Sequence, residues 1–182
     1  MTKTASNVFL SFLLLISCRE AVAATPPQLY GKSVVVSWTE NRVHRFVGEA
    51  QFRQVALHAE QSIYISTTGR PFSRSTYSTR RGTGSHELVG GSGHSGTGGA
   101  VVVQFQGRSL VTVQAFIGGA RHIQVDFDPA FSSCTANVIL GRSGSTATLI
   151  IKGAITGDLV EVQSAKIDGA KCSIKEGNVF TQ

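Results

Sequence analysis

The chain of 182 residues carries 17 Lys and Arg against 11 Asp and Glu, a formal net charge of +6. This length allows one ordinary domain with a sizeable core, and the positive charge biases association toward anionic partners. Beyond residue 24 no apolar run approaches the roughly 20 residues of a transmembrane helix, so the sequence predicts no transmembrane span.

Residues 1–24 have the pattern of a secretory signal peptide. Lys3 precedes an apolar run at 8–16, and Ala21-Val22-Ala23 forms an A-x-A cleavage pattern. Cleavage near Ala24 would leave about 158 residues and lower the formal charge from +6 to +5, because two basic residues and one acidic residue are removed. We therefore predict export to the periplasm or the extracellular space.

The same segment allows an alternative maturation. Leu15-Ile16-Ser17-Cys18 is typical of the lipobox of bacterial lipoproteins, whose cysteine is acylated after cleavage. A lipid on Cys18 would anchor the protein to a membrane surface. Arg19 and Glu20, followed by small residues, form the polar region that ordinary signal peptidase prefers, and this favours secretion without a lipid.

The predicted mature chain begins with a short leader, 25–32, followed by one β-rich domain, 33–182. Residues 33–38 and 62–66 are rich in β-branched and aromatic side chains and predict strands. The segment between them, Phe46–Ala59, fits two patterns. Its apolar residues lie on one face of a short helix, and they also alternate as in a strand, so both remain open.

The segment from Gly69 to Gly99 is predicted to be one long Gly- and Arg-rich loop. It contains four arginines and two aromatic residues without an acid before residue 82. Arginine binds phosphate, sulfate and carboxylate through a planar fork, and aromatic rings can stack on bases or sugars. The candidate anion-binding residues are Arg70, Arg74, Tyr77, Arg80 and Arg81. The alternative is a basic, solvated surface, and 86–89 could form a short strand within the loop.

Residues 86–99, HELVGGSGHSGTGG, match a phosphate-binding loop in residue pattern but not in the predicted structure around it. Gly91 to Gly96 match G-x-G-x-x-G, but a strand rather than a helix is predicted to follow. A P-loop would need Lys at the position of Thr97, and a serine-hydrolase elbow would need Gly there. His86 and His94 lie in a glycine-rich segment without further ligands, so we predict neither a metal nor a cofactor.

Residues 100–127 give the clearest prediction. Three runs rich in β-branched residues are separated by short Gly turns, which indicates an antiparallel meander. Further short strands follow to the C-terminus, with a hairpin turn predicted at Asp168-Gly169. The fold class is therefore mostly β: an antiparallel sandwich or barrel-like domain, with one short helix in the N-terminal half as an option.

The mature chain contains two cysteines that can pair. Cys134 and Cys172 have no His or Cys at metal-ligand spacing beside them. In an oxidising compartment two such cysteines form a disulfide. The predicted bridge joins the strand that begins at Cys134 to the last strand.

No set of residues identifies a reaction, so a non-catalytic role is favoured. Asp126 and Asp128 have the same strand parity and are the candidate pair for the alternative, a secreted hydrolase acting on a cell-surface polymer. The main hypothesis is an exported envelope or extracellular module, binding or structural, with an anion-preferring basic loop. Expected partners are anionic polysaccharide, lipid head groups or an envelope protein, whereas nucleic acid is not expected.

Overall fold

The structure, a computed structural model, describes residues 24–79, 82–89, 92–95, 99–145 and 147–181. Several predictions concern residues outside these ranges. They are the signal peptide up to Ala23, the lipid-anchor alternative at Cys18, two candidate binding residues, Arg80 and Arg81, and part of the G-x-G-x-x-G match.

The described chain is built almost entirely from strands, which confirms the predicted fold class. Short 3-10 turns at Pro27–Leu29 and Val179–Thr181 are the helical elements described. The strands are β1 (Lys32–Phe46), β2 (Arg53–Ile65), β3 (Pro71–Thr79), β4 (Gly82–Val89), β5 (Ser92–Ser95), β6 (Gly99–Gln106), β7 (Ser109–Phe116), β8 (Gly119–Phe127), β9 (Cys134–Arg142), β10 (Leu149–Lys152) and β11 (Leu159–Glu176).

The strands form two antiparallel sheets. The first has the order β10-β11-β1-β2-β3-β4, and the second has the order β5-β6-β7-β8-β9. Buried side chains of both sheets pack in a common core, as in a sandwich. The predicted meander is confirmed, because β6, β7 and β8 are consecutive neighbours in the second sheet.

The helical option for Phe46–Ala59 is wrong. The chain turns after β1, with Gly48 at a φ of 96°, and β2 begins at Arg53. From there β2 pairs with β1 as far as Ser33↔Tyr64. The strand pattern prevails because Leu57 and Ala59 are buried while the residues between and beside them are exposed.

The predicted long loop at 69–99 is also wrong, since it contains β3, β4 and β5. The prediction missed β3 because its inward positions are polar: Ser73 and Ser75 are buried beside Tyr77. Ser73 Oγ accepts a hydrogen bond from Gln61 Nε2 at 2.8 Å, which explains how a hydroxyl is accommodated inside the sandwich. The short strand proposed at 86–89 is part of β4 and is confirmed.

The hairpin predicted at Asp168-Gly169 is a β-bulge within one continuous strand. The pairing of β1 with β11 shifts register between Ser37↔Lys171 and Thr39↔Asp168. Gly169 has a φ of 64°. Asp-Gly suits both features, because a tight hairpin and a bulge each place a glycine in the left-handed region.

The predicted pair Cys134 and Cys172 lies at disulfide geometry. The two sulfur atoms are 1.98 Å apart and the two Cα atoms are 5.6 Å apart. Cys134 starts β9 in the second sheet, and Cys172 belongs to β11 in the first. The bridge therefore links the two layers of the sandwich.

Membrane-spanning helices were predicted to be absent from the mature chain. Throughout the ranges that the structure describes, no helix combines the length and the apolar character that crossing a bilayer requires.

Candidate functional site

A cavity of about 700 Å³ opens between the two sheets and is the candidate site, named here the basic cavity. Parts of β1, β2, β3, β10 and β11, with the turn between the last two, line one side, and β7 and β8 contribute from the second sheet. Its volume lies within the range of about 300–1,000 Å³ that is usual for small-molecule sites.

The cavity forms because the inward-facing residues of β1 change from apolar to charged along the strand. Val34, Val36 and Trp38 fill the apolar core, and the next inward positions are Glu40 and Arg42. Charged side chains in this part of the sandwich replace the apolar packing that closes the core elsewhere. The inward face of β8 changes in the same way, from Ile123 and Val125 to Arg121.

Three buried charged residues, the arginine cluster, stand beside and within the cavity: Glu40, Arg42 and Arg121. Their exposed fractions are 0%, 7% and 2%. Arg121 Nη2 donates a hydrogen bond to Glu40 Oε2 at 3.1 Å, and Arg42 Nε donates to Glu40 Oε1. Glu40 therefore accepts hydrogen bonds from both arginines, one on its own strand and one on the opposite sheet.

Arg121 is held from several sides. Its Nη1 donates to Tyr77 Oη at 2.6 Å and to Gln114 Oε1 at 2.8 Å. Its guanidinium carbon lies 5.2–5.5 Å from the ring centroids of Trp38, Tyr77 and Phe116. These contacts fix the position of the guanidinium, as expected for a preorganised anion-binding group.

Two observations show unused donor capacity in the cluster. Among the described residues, Arg121 Nε is buried without a hydrogen-bond partner. Arg42, within the same described part of the chain, makes its only hydrogen bond through Nε, although both arginines line the cavity. Buried polar donors are normally satisfied, so Arg121 Nε lacks the acceptor that its burial calls for. The terminal nitrogens of Arg42, which are not among the buried unpaired atoms of the described residues, can donate to an acceptor in the cavity.

The charge of the cluster is positive. Burial alone would raise the pKa of Glu40, but the charges and hydrogen bonds of Arg121 and Arg42 outweigh burial and lower the pKa to about 2. Glu40 is therefore ionised at neutral pH and balances one of the two guanidinium groups. One positive charge remains in excess.

The rest of the cavity wall is largely apolar. No Asp or Glu is among the described residues that line it, whereas Arg53 and Lys152 add positive charge. Arg53 forms an ion pair with Glu49 outside the cavity. The large apolar side chains of the wall are Phe46, Val55, Leu57, Phe116, Ile151, Ile155 and Val160.

The predicted anion-binding residues are not brought together on one surface. Arg70 is exposed and lies 5.4 Å from the ring centroid of Phe72, and Arg74 lies 4.7 Å from that of Phe180. Tyr77 has the opposite parity on β3 and is buried in the sandwich, where it contacts Arg121. Anion binding by the two outward arginines stays a prediction.

The residues of the arginine cluster were missed by the sequence analysis, although a signal existed. On β1 every second residue is buried, and this alternation continues without a break from Val34, Val36 and Trp38 to positions 40 and 42. On β8 the alternation of Ile123, Val125 and Phe127 extends back to position 121. Charged residues in phase with a buried apolar face mark candidates for an internal polar site.

The aspartates of the hydrolase alternative have local roles. Asp126 accepts hydrogen bonds from Ser109 Oγ and Gln124 Nε2, and Asp128 accepts from Ser132 and Ser133 in the turn after β8. Hydrogen bonds from Ser109 lower the pKa of Asp126, and those from Ser132 lower the pKa of Asp128. Neither carboxyl group is tuned to be a proton donor near neutral pH.

Metal binding has no support in the described chain. The side chains of His86 and His94 lie outside the described part of the structure. Among the residues that are described, no group of three or more His, Cys, Asp or Glu is placed to hold a metal ion.

The buried charge of Glu40 predicts acid sensitivity. A carboxyl group whose pKa is lowered from 4.5 to about 2 on folding stabilises the protein above pH 4.5 and loses this effect as the pH falls toward 2. We expect a loss on the order of 3 kcal/mol in the free energy of unfolding from this group. Carboxyl-carbon NMR titration measures it directly. Half-protonation of Glu40 near pH 4.5 would contradict the prediction.

Comparison with known proteins gives no relative on which to base a function. No protein-family model, curated protein or solved structure matches the chain. The function has to be inferred from the cavity, its charges and its walls.

Proposed function

We propose that the protein is an exported, non-catalytic binding module that holds an organic anion in the basic cavity. The observation that carries this proposal is the excess positive charge of the arginine cluster. Arg42 and Arg121 are both more than nine-tenths buried, and Glu40 compensates only one of them. A guanidinium removed from water without a counter-charge is destabilising, and a bound anion would supply that charge.

The form of the site supports binding in a preformed cavity. Contacts with Tyr77, Gln114 and the surrounding rings hold Arg121 before any ligand arrives. Preorganised groups lose little conformational entropy on binding, which strengthens an interaction without adding contacts. We thus assign the anion preference expected from the basic sequence to residues other than the outward Arg70 and Arg74.

Export is supported by the signal-peptide pattern of residues 1–24 and by the paired cysteines. Cys134 and Cys172 lie at disulfide geometry, and structural disulfides persist in oxidising compartments. The hydrolase alternative has no comparable support, because Asp126 and Asp128 are engaged locally and neither lines the basic cavity.

The proposal is tested with 8-anilinonaphthalene-1-sulfonate, a fluorescent organic anion. We expect it to bind the mature protein at one site and to bind the Arg42→Gln variant at least about tenfold more weakly, because a charge-assisted hydrogen bond is lost. Arg45→Gln is the matched control. Arg45 lies on the same strand, does not line the cavity and is paired with Glu161.

Two results would contradict the proposal: no saturable binding of the probe, or equal affinities for the native protein, Arg42→Gln and Arg45→Gln. Lys152→Gln provides a second variant if Arg42→Gln does not fold. Lys152 lines the cavity and is half-buried, and its loss should weaken binding several-fold through charge alone.

A further inference from the structure

We infer that the ligand of the basic cavity is a single-chain amphiphile, a monocarboxylate with a flexible apolar chain. This inference rests on the proposed function and specifies its ligand. Three observations carry it: the charge of the cluster, the depth at which it lies relative to the apolar wall, and the apolar residues next to the cavity-lining ones.

The head group follows from the charge. The buried cluster has one positive charge in excess, since Glu40 is ionised between Arg42 and Arg121. A monoanion neutralises the buried cluster, whereas the second charge of a dianion would have only the partly exposed Lys152 and the paired Arg53 to meet it. A carboxylate also fits the planar fork of a guanidinium, and both terminal nitrogens of Arg42 are without a partner among the described residues.

The orientation follows from burial. Arg42 and Arg121 are at most 7% exposed, and Leu57 and Val160 of the apolar wall are equally buried, whereas Ile155 of the wall is only partly buried. The charged groups are therefore deep, and the apolar wall extends from their depth toward solvent. A ligand that satisfies both regions enters with its carboxylate first and leaves its chain along the wall.

Three of the five large apolar residues that are exposed in the described chain are next in sequence to residues that line the cavity. Val47 follows Phe46, Ile117 follows Phe116, and Leu159 precedes Val160. The backbone N–H of Val47 donates to the carbonyl of Leu159 at 2.9 Å, so two of these residues are neighbours. All three stand at the ends of strands that line the cavity.

The test measures the fluorescence of Trp38 during titration with straight-chain carboxylates from acetate to decanoate, and with 1-decanol. Trp38 is the single tryptophan of the chain, and the Arg121 guanidinium carbon lies 5.5 Å from its ring centroid. We expect affinity to rise about fourfold per methylene until the wall is covered. Decanoate should bind at least about tenfold more tightly than 1-decanol.

A pair of variants measures the contribution of the apolar wall to binding, apart from that of the head-group site. Ile155→Asn should weaken decanoate binding about tenfold, because Ile155 lines the cavity. Ile139→Asn is the matched control, since Ile139 is 52% exposed on β9 and does not line the cavity. Equal effects of the two variants on decanoate binding would overturn the inference.

The outcomes distinguish this inference from the function on which it rests. If the sulfonate probe binds through Arg42 but carboxylate affinity is independent of chain length, the anion site stands and the amphiphile is wrong. Equal binding of decanoate and 1-decanol would also overturn the inference, because the head group would then contribute nothing. If neither the probe nor decanoate binds, both proposals fail.

Discussion

Replacing Arg121 with Met is expected to lower the free energy of unfolding by about 2–4 kcal/mol at pH 7, because three buried acceptors lose a charged hydrogen-bond donor. The variant keeps much of the apolar bulk but removes the hydrogen bonds to Glu40, Tyr77 and Gln114. Glu40, which is fully buried, would retain Arg42 as its one remaining counter-charge among the described residues. Urea unfolding followed by circular dichroism measures the effect.

Two further variants determine whether the cluster is responsible. Arg45→Met makes the same change at a partly exposed ion pair with Glu161 and should cost at most about 1 kcal/mol. The double variant Glu40→Gln with Arg121→Met also removes the counter-charge of the buried Arg42, so it should be no more stable than Arg121→Met. Equal losses for Arg121→Met and Arg45→Met would show that the cluster is not coupled as the structure indicates.

Removing the disulfide is expected to have an effect of similar size. Cys134 and Cys172 are separated by 38 positions, and chain-entropy arguments for a loop of this length give about 4 kcal/mol. The bond also joins the two sheets, so its loss frees β9 from β11. The double variant Cys134→Ala with Cys172→Ala should unfold at a correspondingly lower urea concentration than the oxidised protein.

The reducing agent dithiothreitol provides the control for this prediction. It should destabilise the native protein by a comparable amount and leave the double variant unchanged. Coincident unfolding curves for the oxidised and reduced native protein would contradict a stabilising bond between these two cysteines.

Strands were predicted correctly from the sequence where one face of the strand is apolar. In β8, Ile123, Val125 and Phe127 are buried and alternate with exposed residues, so period two is visible in the letters alone. The pattern was lost in β3, where the buried positions are Ser73, Ser75 and Tyr77. Hydroxyl side chains inside a sandwich depend on partners such as Gln61, which the local sequence does not reveal.

The Asp168-Gly169 pair shows a different limit of local reasoning. A hairpin was predicted there, and Gly169 has the positive φ that such a turn requires, but the hairpin is absent. The same dipeptide ends a strand in a hairpin or bends it in a bulge, and the choice depends on the partner strand. Here β1 is long enough to pair with β11 on both sides of Gly169, so the strand continues.

The sequence by itself determined the mostly β class, the meander of β6 to β8 and the pairing of Cys134 with Cys172. The first two follow from the alternation of apolar and polar residues along short segments, and the third follows from the number of cysteines in the predicted mature chain. Only the tertiary structure decided the site, because Glu40 and Arg121 are 81 positions apart and belong to different sheets. The two residues form a site only when the two sheets pack together and remove both side chains from water. Burial lowers the local dielectric constant, and an unbalanced charge then interacts more strongly with a ligand.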